Sequence, residues 1–194
     1  MPKTRFPVPA ELPIEAVRAI SDTREQCPVD LSPLRVEVGT LATGDYSVAG
    51  LEHVIAIERK SLPDLLGCIG QERERFDREI MRLLAYQVRA LVVESTWPEI
   101  EAGQWRSKIT PAAALGSLLG WGAMGLPIYM VGTHERAGRY IARLLVTAAR
   151  RRWREARALL AGSLGSAEPK HGRLSPSAYD PATLASFCPT GEGD

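Results

Sequence analysis

The chain has 194 residues, 45% hydrophobic and 24% charged, the balance of one soluble globular domain, which excludes a disordered or fibrous segment. Lys and Arg total 24 against 23 Asp and Glu, so the net charge of +1 excludes a uniformly basic coat, and a polyanionic partner must be met by a local patch. No window approaches the roughly 18 apolar residues of a membrane span, and MPKTRFPVPAELP lacks the apolar core of a secretion signal, so the expectation is a cytoplasmic protein, nucleoid-associated if prokaryotic, with no membrane contact.

Residues 1–13 are proline-rich and residues 162–194 turn to Gly, Ser, Pro and Thr, so both ends read as tails around one domain over 14–161. Val17–Ser21 is a short apolar strand, and Leu34–Leu41 alternates, with Val36 and Val38 on one face, as a half-buried strand does. Tyr46–Ala49 and His53–Lys60 form a predicted hairpin turning at Gly50. Ser61 with Asp64 three residues on marks the start of a short helix. Gln71–Gln87 places Phe76, Ile80, Leu83, Leu84 and Gln87 on one side at helical spacing. A strand over Arg89–Glu94 follows, then a helix opened by Thr110-Pro111 and running to about Leu119, a strand over Pro127–Val131, and a long helix from about Glu135 to Leu160. The alternation predicts an α/β fold with a mixed sheet of about six strands flanked by helices.

Cys27, Cys68 and Cys188 are far apart, as are His53, His134 and His171, which excludes a disulfide framework and a Cys or His metal cluster. Chemistry gathers instead in four fragments at strand ends: Asp22-Thr23-Arg24-Glu25, Gly44-Asp45-Tyr46, Glu58-Arg59-Lys60 and Asp64. Strand side chains two apart share a face, so Glu58 and Lys60 project together and Arg59 points away. If residues 50–53 form the loop, 49 pairs with 54, and counting outward sets Asp45 opposite Glu58. A two-residue loop would put 45 opposite 56, with 58 a diagonal neighbour on the same face, whereas a three-residue loop would break the parity. Carboxylates directly opposed at about 4.5–5.5 Å destabilise a sheet unless something neutralises them. Two carboxylates plus water and phosphate oxygens suit Mg²⁺ (or Mn²⁺), which prefers hard oxygen ligands. Lys60, beside a scissile phosphate, would orient or help deprotonate a water and offset developing charge. Asp22 and Glu25 are candidates for a second ion's ligands, and Gly44 suits a close backbone approach or a positive φ before Asp45.

DTRE, GDY, IERKSLPDL, a helix with interleaved arginines and the RALVVE strand together resemble the nuclease domain of the XPF (ERCC4-type) family of structure-specific DNA endonucleases, over roughly residues 17–150. The family signature is GD, a spacer, then ERK with an Asp four residues beyond the Lys. The resemblance implies a restriction-endonuclease-like core, Mg²⁺ or Mn²⁺, and branched or flapped DNA as substrate. It implies Asp45 and Glu58 as metal ligands, the Arg59 carbonyl as a third, a catalytic Lys60, and Asp22, Arg24, Glu25, Arg59 and Asp64 as supporting residues. No paired hairpin glycines follow in the last 34 residues, so the tandem helix-hairpin-helix module of many relatives is not seen in this sequence. Alternatives are a restriction-like nuclease that cuts at a sequence, and a non-catalytic DNA-binding subunit of a nuclease complex.

Arg75, Arg78, Arg82 and Arg89 form a stripe opposite the apolar one. It is either a phosphate track or a solvated face supported by Glu74 with Arg78 and Glu79 with Arg82. Residues 1–70 carry 7 basic and 10 acidic groups, a net of −3, whereas residues 110–160 carry 8 and 2, a net of +6. The excess lies in the last helix, especially Arg150, Arg151, Arg152, Arg154 and Arg157, where DNA contact and the helix macrodipole are both reasons for it. The apolar residues Ile141, Leu144, Leu145 and Ala148, with Trp121 and Met124, are either core or, as the resemblance implies, a face for a second copy or a partner subunit.

Overall fold

A computed structural model describes residues 8–164; the predicted C-terminal tail from 165 onward and residues 1–7 lie outside the described part. The strands are β1 (Arg18–Asp22), β2 (Arg35–Gly39), β3 (Tyr46–Val48), β4 (Ile55–Ser61), β5 (Val88–Glu94) and β6 (Ile128–Met130). They form one sheet in the order β2-β1-β3-β4-β5-β6. β3 runs antiparallel to both its neighbours, and the other pairs are parallel, so the sheet is mixed and the architecture is the expected α/β class. The helices are α1 (Leu62–Ile69), α2 (Arg73–Leu84), α3 (Trp97–Ala102), α4 (Pro111–Ala123) and α5 (His134–Leu164).

Strand alternation divides the core into two layers. Ile55 and Ile57 of β4, Tyr46 and Val48 of β3, and Ala90 and Val92 of β5 pack with Ala137, Ile141 and Leu145 of α5. Ala56, Leu91 and Val93 face the other way, onto Leu65 of α1, Phe76, Ile80 and Leu83 of α2, Ile100 of α3 and Leu118 of α4. Each of the Val, Leu, Ile and Phe side chains among these, when fully buried, stabilises the fold by about 1.5–3 kcal/mol. Local chemistry sets the helix starts. Ser61 Oγ accepts from the Asp64 N–H at 3.3 Å, and Thr110 Oγ1 accepts from the Ala113 N–H at 3.2 Å with Pro111 in the first turn.

Several sequence-based expectations are corrected. α3 was not anticipated, although Thr96 and Glu99 form a capping box at its start. α2 stops at Leu84 and Gln87 is exposed, because the chain must turn through Ala85–Gln87 to pair Val88 N–H with Val54 O at 3.0 Å. Val36 and Val38 are exposed at 47% and 76%, since β2 is an edge strand beyond the span of α5; the flanking Leu34 and Leu41 are the buried residues. Of the two readings left open for Ile141, Leu144, Leu145 and Ala148, the core one holds: Ile141, Leu145 and Ala148 are buried against the sheet and Leu144 is partly buried beside them. Trp121 is likewise buried, and Met124 is exposed. Residues 8–13 lie along α5: the Arg150, Trp153 and Arg157 side chains donate to the carbonyls of Leu12, Pro9 and Ala10. No helix among the described residues is long and apolar enough to cross a membrane.

Candidate active site

Tyr46 pairs with Ile57, so counting outward sets Asp45 opposite Glu58, the register the hairpin arithmetic favours. Ser21 pairs with Tyr46 in the same way, which puts Asp22 beside Asp45. Three acids therefore stand abreast, Asp22 on β1, Asp45 just before β3 and Glu58 on β4, at the end of the sheet and on the face covered by α1 and α2. Gly44 makes this possible: its φ is +81°, and a Cβ there would lie 3.0 Å from the Ile57 carbonyl oxygen.

The three acids differ in what neutralises them. Arg24 grips Asp22 with Nε at 2.6 Å and Nη2 at 3.1 Å, while the Leu41 and Arg24 N–H groups donate at 2.6 and 2.9 Å. Burial raises the Asp22 pKa, but these hydrogen bonds outweigh it and hold the group below the usual carboxylate range. Asp45 accepts one backbone hydrogen bond, from Arg59 N–H at 2.8 Å. Burial dominates there and pushes Asp45 up to about 6. Glu58 is 1% exposed and is pushed higher still by burial and then by the charge of Asp45. Lys60 Nζ donates to Glu58 Oε1, and Glu58 Oε2 is buried with no hydrogen-bond partner. The Lys60 ammonium also lies 5.4 Å from the Phe76 ring centroid, and Glu58 and Asp45 hold it in its charged form against the burial cost.

Arg59 projects to the opposite face, as strand geometry requires. It donates to Glu25 at 3.0 and 3.2 Å and to Glu94 at 2.7 Å, with a side chain only 7% exposed. His134 Nδ1 lies 2.7 Å from the same Glu94 oxygen. Glu25 is therefore not brought to the Asp45–Glu58 pair, and Asp22, though adjacent, has both oxygens occupied; neither is free for a second ion. Asp64 is an exposed helix-cap residue whose Oδ2 accepts from Ser61 Oγ at 2.6 Å. Arg75, Arg78 and Arg82 all reach the exposed side of α2. Arg75 pairs with Glu72 and, at 3.5 Å, with Glu79, in place of the expected Glu74–Arg78 and Glu79–Arg82 pairs. Arg89 leaves that stripe, since it sits on β5 and donates to the Tyr86 and Gly125 carbonyls at 2.8 and 3.0 Å.

Two acids at the site escaped the sequence reading. Glu79 is mostly buried on α2, and its charge raises the pKa of Asp45 and Glu58. Its signal was its place three residues beyond Phe76, at the border of the apolar stripe. Glu94, the last residue of β5, partners Arg59.

Among the described residues no three acidic, His or Cys side chains converge on one point, so a cation here would have at most two side-chain ligands. The donor set nevertheless fits a hard divalent ion. Two buried carboxylates face each other, both resist ionisation, and one oxygen has no partner. This defines an α/β domain with an acid–acid–lysine site at one end of a mixed sheet.

The solved structure of XPF from Aeropyrum pernix shares the fold, with a TM-score of 0.57 at 19% identity over 78% of this chain and 75% of that one. The same protein in complex with DNA gives a TM-score of 0.50 at 18% identity over 78% and 68%. Among curated proteins there is no match. The ERCC4 domain family model matches residues 21–144, and the chain belongs to that family.

Proposed function

We propose that this protein is a divalent-metal-dependent DNA endonuclease that hydrolyses a phosphodiester near a branch, flap or junction. The observation that carries the reading is the buried Asp45–Glu58 pair with its unpartnered Glu58 Oε2 beside the Lys60 ammonium. Asp45 and Glu58, with the Arg59 carbonyl, would hold Mg²⁺ or Mn²⁺, which supplies Lewis-acid activation of water and of the scissile phosphate. Lys60, held protonated, has no lone pair to accept a proton; it donates hydrogen bonds to the attacking water or to a phosphate oxygen and offsets negative charge as it builds. Arg24 keeps Asp22 ionised and fixed beside the pair, and Arg59 ties β4 to Glu25 and Glu94, so the strand end cannot shift when substrate arrives. Arg78 and Arg82, exposed on α2, would contact phosphates flanking the cut. Apolar side chains open to a second subunit include Leu119 on α4, Met124 just after it and Tyr129 on β6, and Leu159 and Leu160 near the end of α5, whereas the Ile141–Leu145 side of α5 is occupied by the sheet.

The test is cleavage of labelled fork, flap, nicked and linear duplexes with Mg²⁺ or Mn²⁺. Lys60→Ala and Asp45→Ala should each lower the rate by about two or more orders of magnitude with the fold intact. Parent-like rates in either variant would refute the assignment, and equal cutting of linear and branched DNA would refute the structure preference.

A further inference from the structure

The reading above leaves the outer face of α5 without a role. At 3.6 residues per turn, Arg136, Arg139, Arg143, Arg150, Arg154 and Arg157 fall within an arc of about 60°, and Thr147 occupies the place between the third and fourth. The buried Ala137, Ile141, Leu145 and Ala148 lie on the opposite side of the helix. Chance placement of surface charge mixes signs, yet the acids of α5 stay off this arc. Glu155 is turned to Arg151 and Arg152 at 3.1 and 2.7 Å, and Glu135 reaches Arg139 only at 3.6 Å. Between Arg136 and Arg157 the arc itself carries Arg and Thr side chains, and one exposed aromatic, Tyr140, borders it beside Arg136.

Two further features favour a phosphate backbone. Arginine presents a fork that matches phosphate oxygens, and a rise of 1.5 Å per residue spreads Arg136 to Arg154 over about 27 Å, the length of about 8 base pairs. The track also begins at the same end of the sheet as the catalytic residues, on the opposite face. His134, the first residue of α5, touches Glu94, which binds Arg59 next to Glu58 and Lys60. Towards the other end, Arg150 and Arg157 of the arc, with Trp153, donate to the carbonyls of residues 9–12 and tie the helix to the N-terminal segment, and the track is formed by Arg136, Arg139, Arg143 and Arg154.

We propose that the arginine face of α5 is a docking track for a duplex DNA arm that passes from the active site around the end of the sheet. The inference rests on the endonuclease reading for the identity of the substrate, but its test does not depend on cleavage. Binding of a fluorescent fork to the full chain is measured in EDTA across salt concentrations, for the parent, for R136Q/R139Q/R143Q, and for R136K/R139K/R143K. These side chains are exposed, and the Lys variant controls for any effect on folding. The slope of log K against log salt should fall by about 3 in the Gln variant, about one for each phosphate no longer neutralised, and stay near the parent's in the Lys variant. Parent affinity should rise as one arm lengthens to about 8 base pairs, and the Gln variant should lose that dependence. An unchanged slope in the Gln variant, with a parent that cuts forks, overturns the track and leaves the nuclease standing. A parent that never cuts while the Gln variant loses its slope does the reverse.

Discussion

Replacing Asp45 by Asn should stabilise the metal-free protein and abolish its response to divalent cations. Burial lifts the Asp45 carboxyl from 3.8 to about 6, with smaller contributions from Glu25 and Glu79. Each pKa unit corresponds to 1.36 kcal/mol, so the fold works against the ionised form by about 3 kcal/mol at pH 7.5. The amide oxygen of Asn still accepts from the Arg59 N–H, which the carboxylate holds at 2.8 Å. The attraction to Lys60 is already contained in that net shift, so the gain is about 3 kcal/mol, or about 6–12 °C in Tm for a domain of this size. Thermal melts in EDTA measure this directly. A Mg²⁺ or Mn²⁺ titration should then raise the parent's Tm with concentration, as ligand linkage requires, and leave the variant's flat. A variant that melts below the parent in EDTA would refute the reasoning, because Asp45 would then contribute net stability without a cation.

The same acids set a pH dependence opposite to that of an ordinary salt-bridged carboxylate. Asp45 is raised to about 6 and Glu58 to about 8, so the folded state keeps protons that the unfolded chain has released; metal-free stability should fall between about pH 4 and pH 8, and the Tm gained on adding Mg²⁺ should grow over that range, whereas a pH-independent gain would contradict the site. Arg59→Ala leaves Glu25 and Glu94 buried without their cation, which should cost about 3–5 kcal/mol in denaturant melts; a loss under 1 kcal/mol would mean that the two acids find other partners. Gly44→Ala forces a side chain to φ +81° and a Cβ to 3.0 Å from the Ile57 carbonyl. It should cost about 1–3 kcal/mol in a thermal melt and weaken the Mg²⁺ response through displacement of Asp45.

The core of the site was legible because it is local. Glu58 and Lys60 share a face through the two-residue period of a strand, and the hairpin between β3 and β4 is short enough that loop length alone constrains the register that opposes Asp45 to Glu58. Gly44 carried its requirement in its own lack of a Cβ, and Ser61 and Thr110 marked their helix starts through contacts three residues away.

Where the partner lies far along the chain, pattern was silent. Arg59 finds Glu25 and Glu94 across 34 and 35 residues, and Asp22 joins Asp45 because β1 pairs with β3 instead of continuing away from it. Spacing made Glu25 look like a ligand, while the pleat sends its partner Arg59 to the far face and Glu25 with it. The valines of β2 and the leucines of α5 show the same limit from the side of packing. Periodicity says which residues share a face, but whether that face meets a helix, another sheet edge or water depends on the order of strands and on where α5 ends its span. The sequence by itself determined the element types, α3 excepted, and the Asp45–Glu58–Lys60 grouping, since both rest on dihedral periods and short loops. Only the tertiary structure decided which of the remaining acids are neutralised, because charge compensation and burial belong to groups that the chain brings together only by folding.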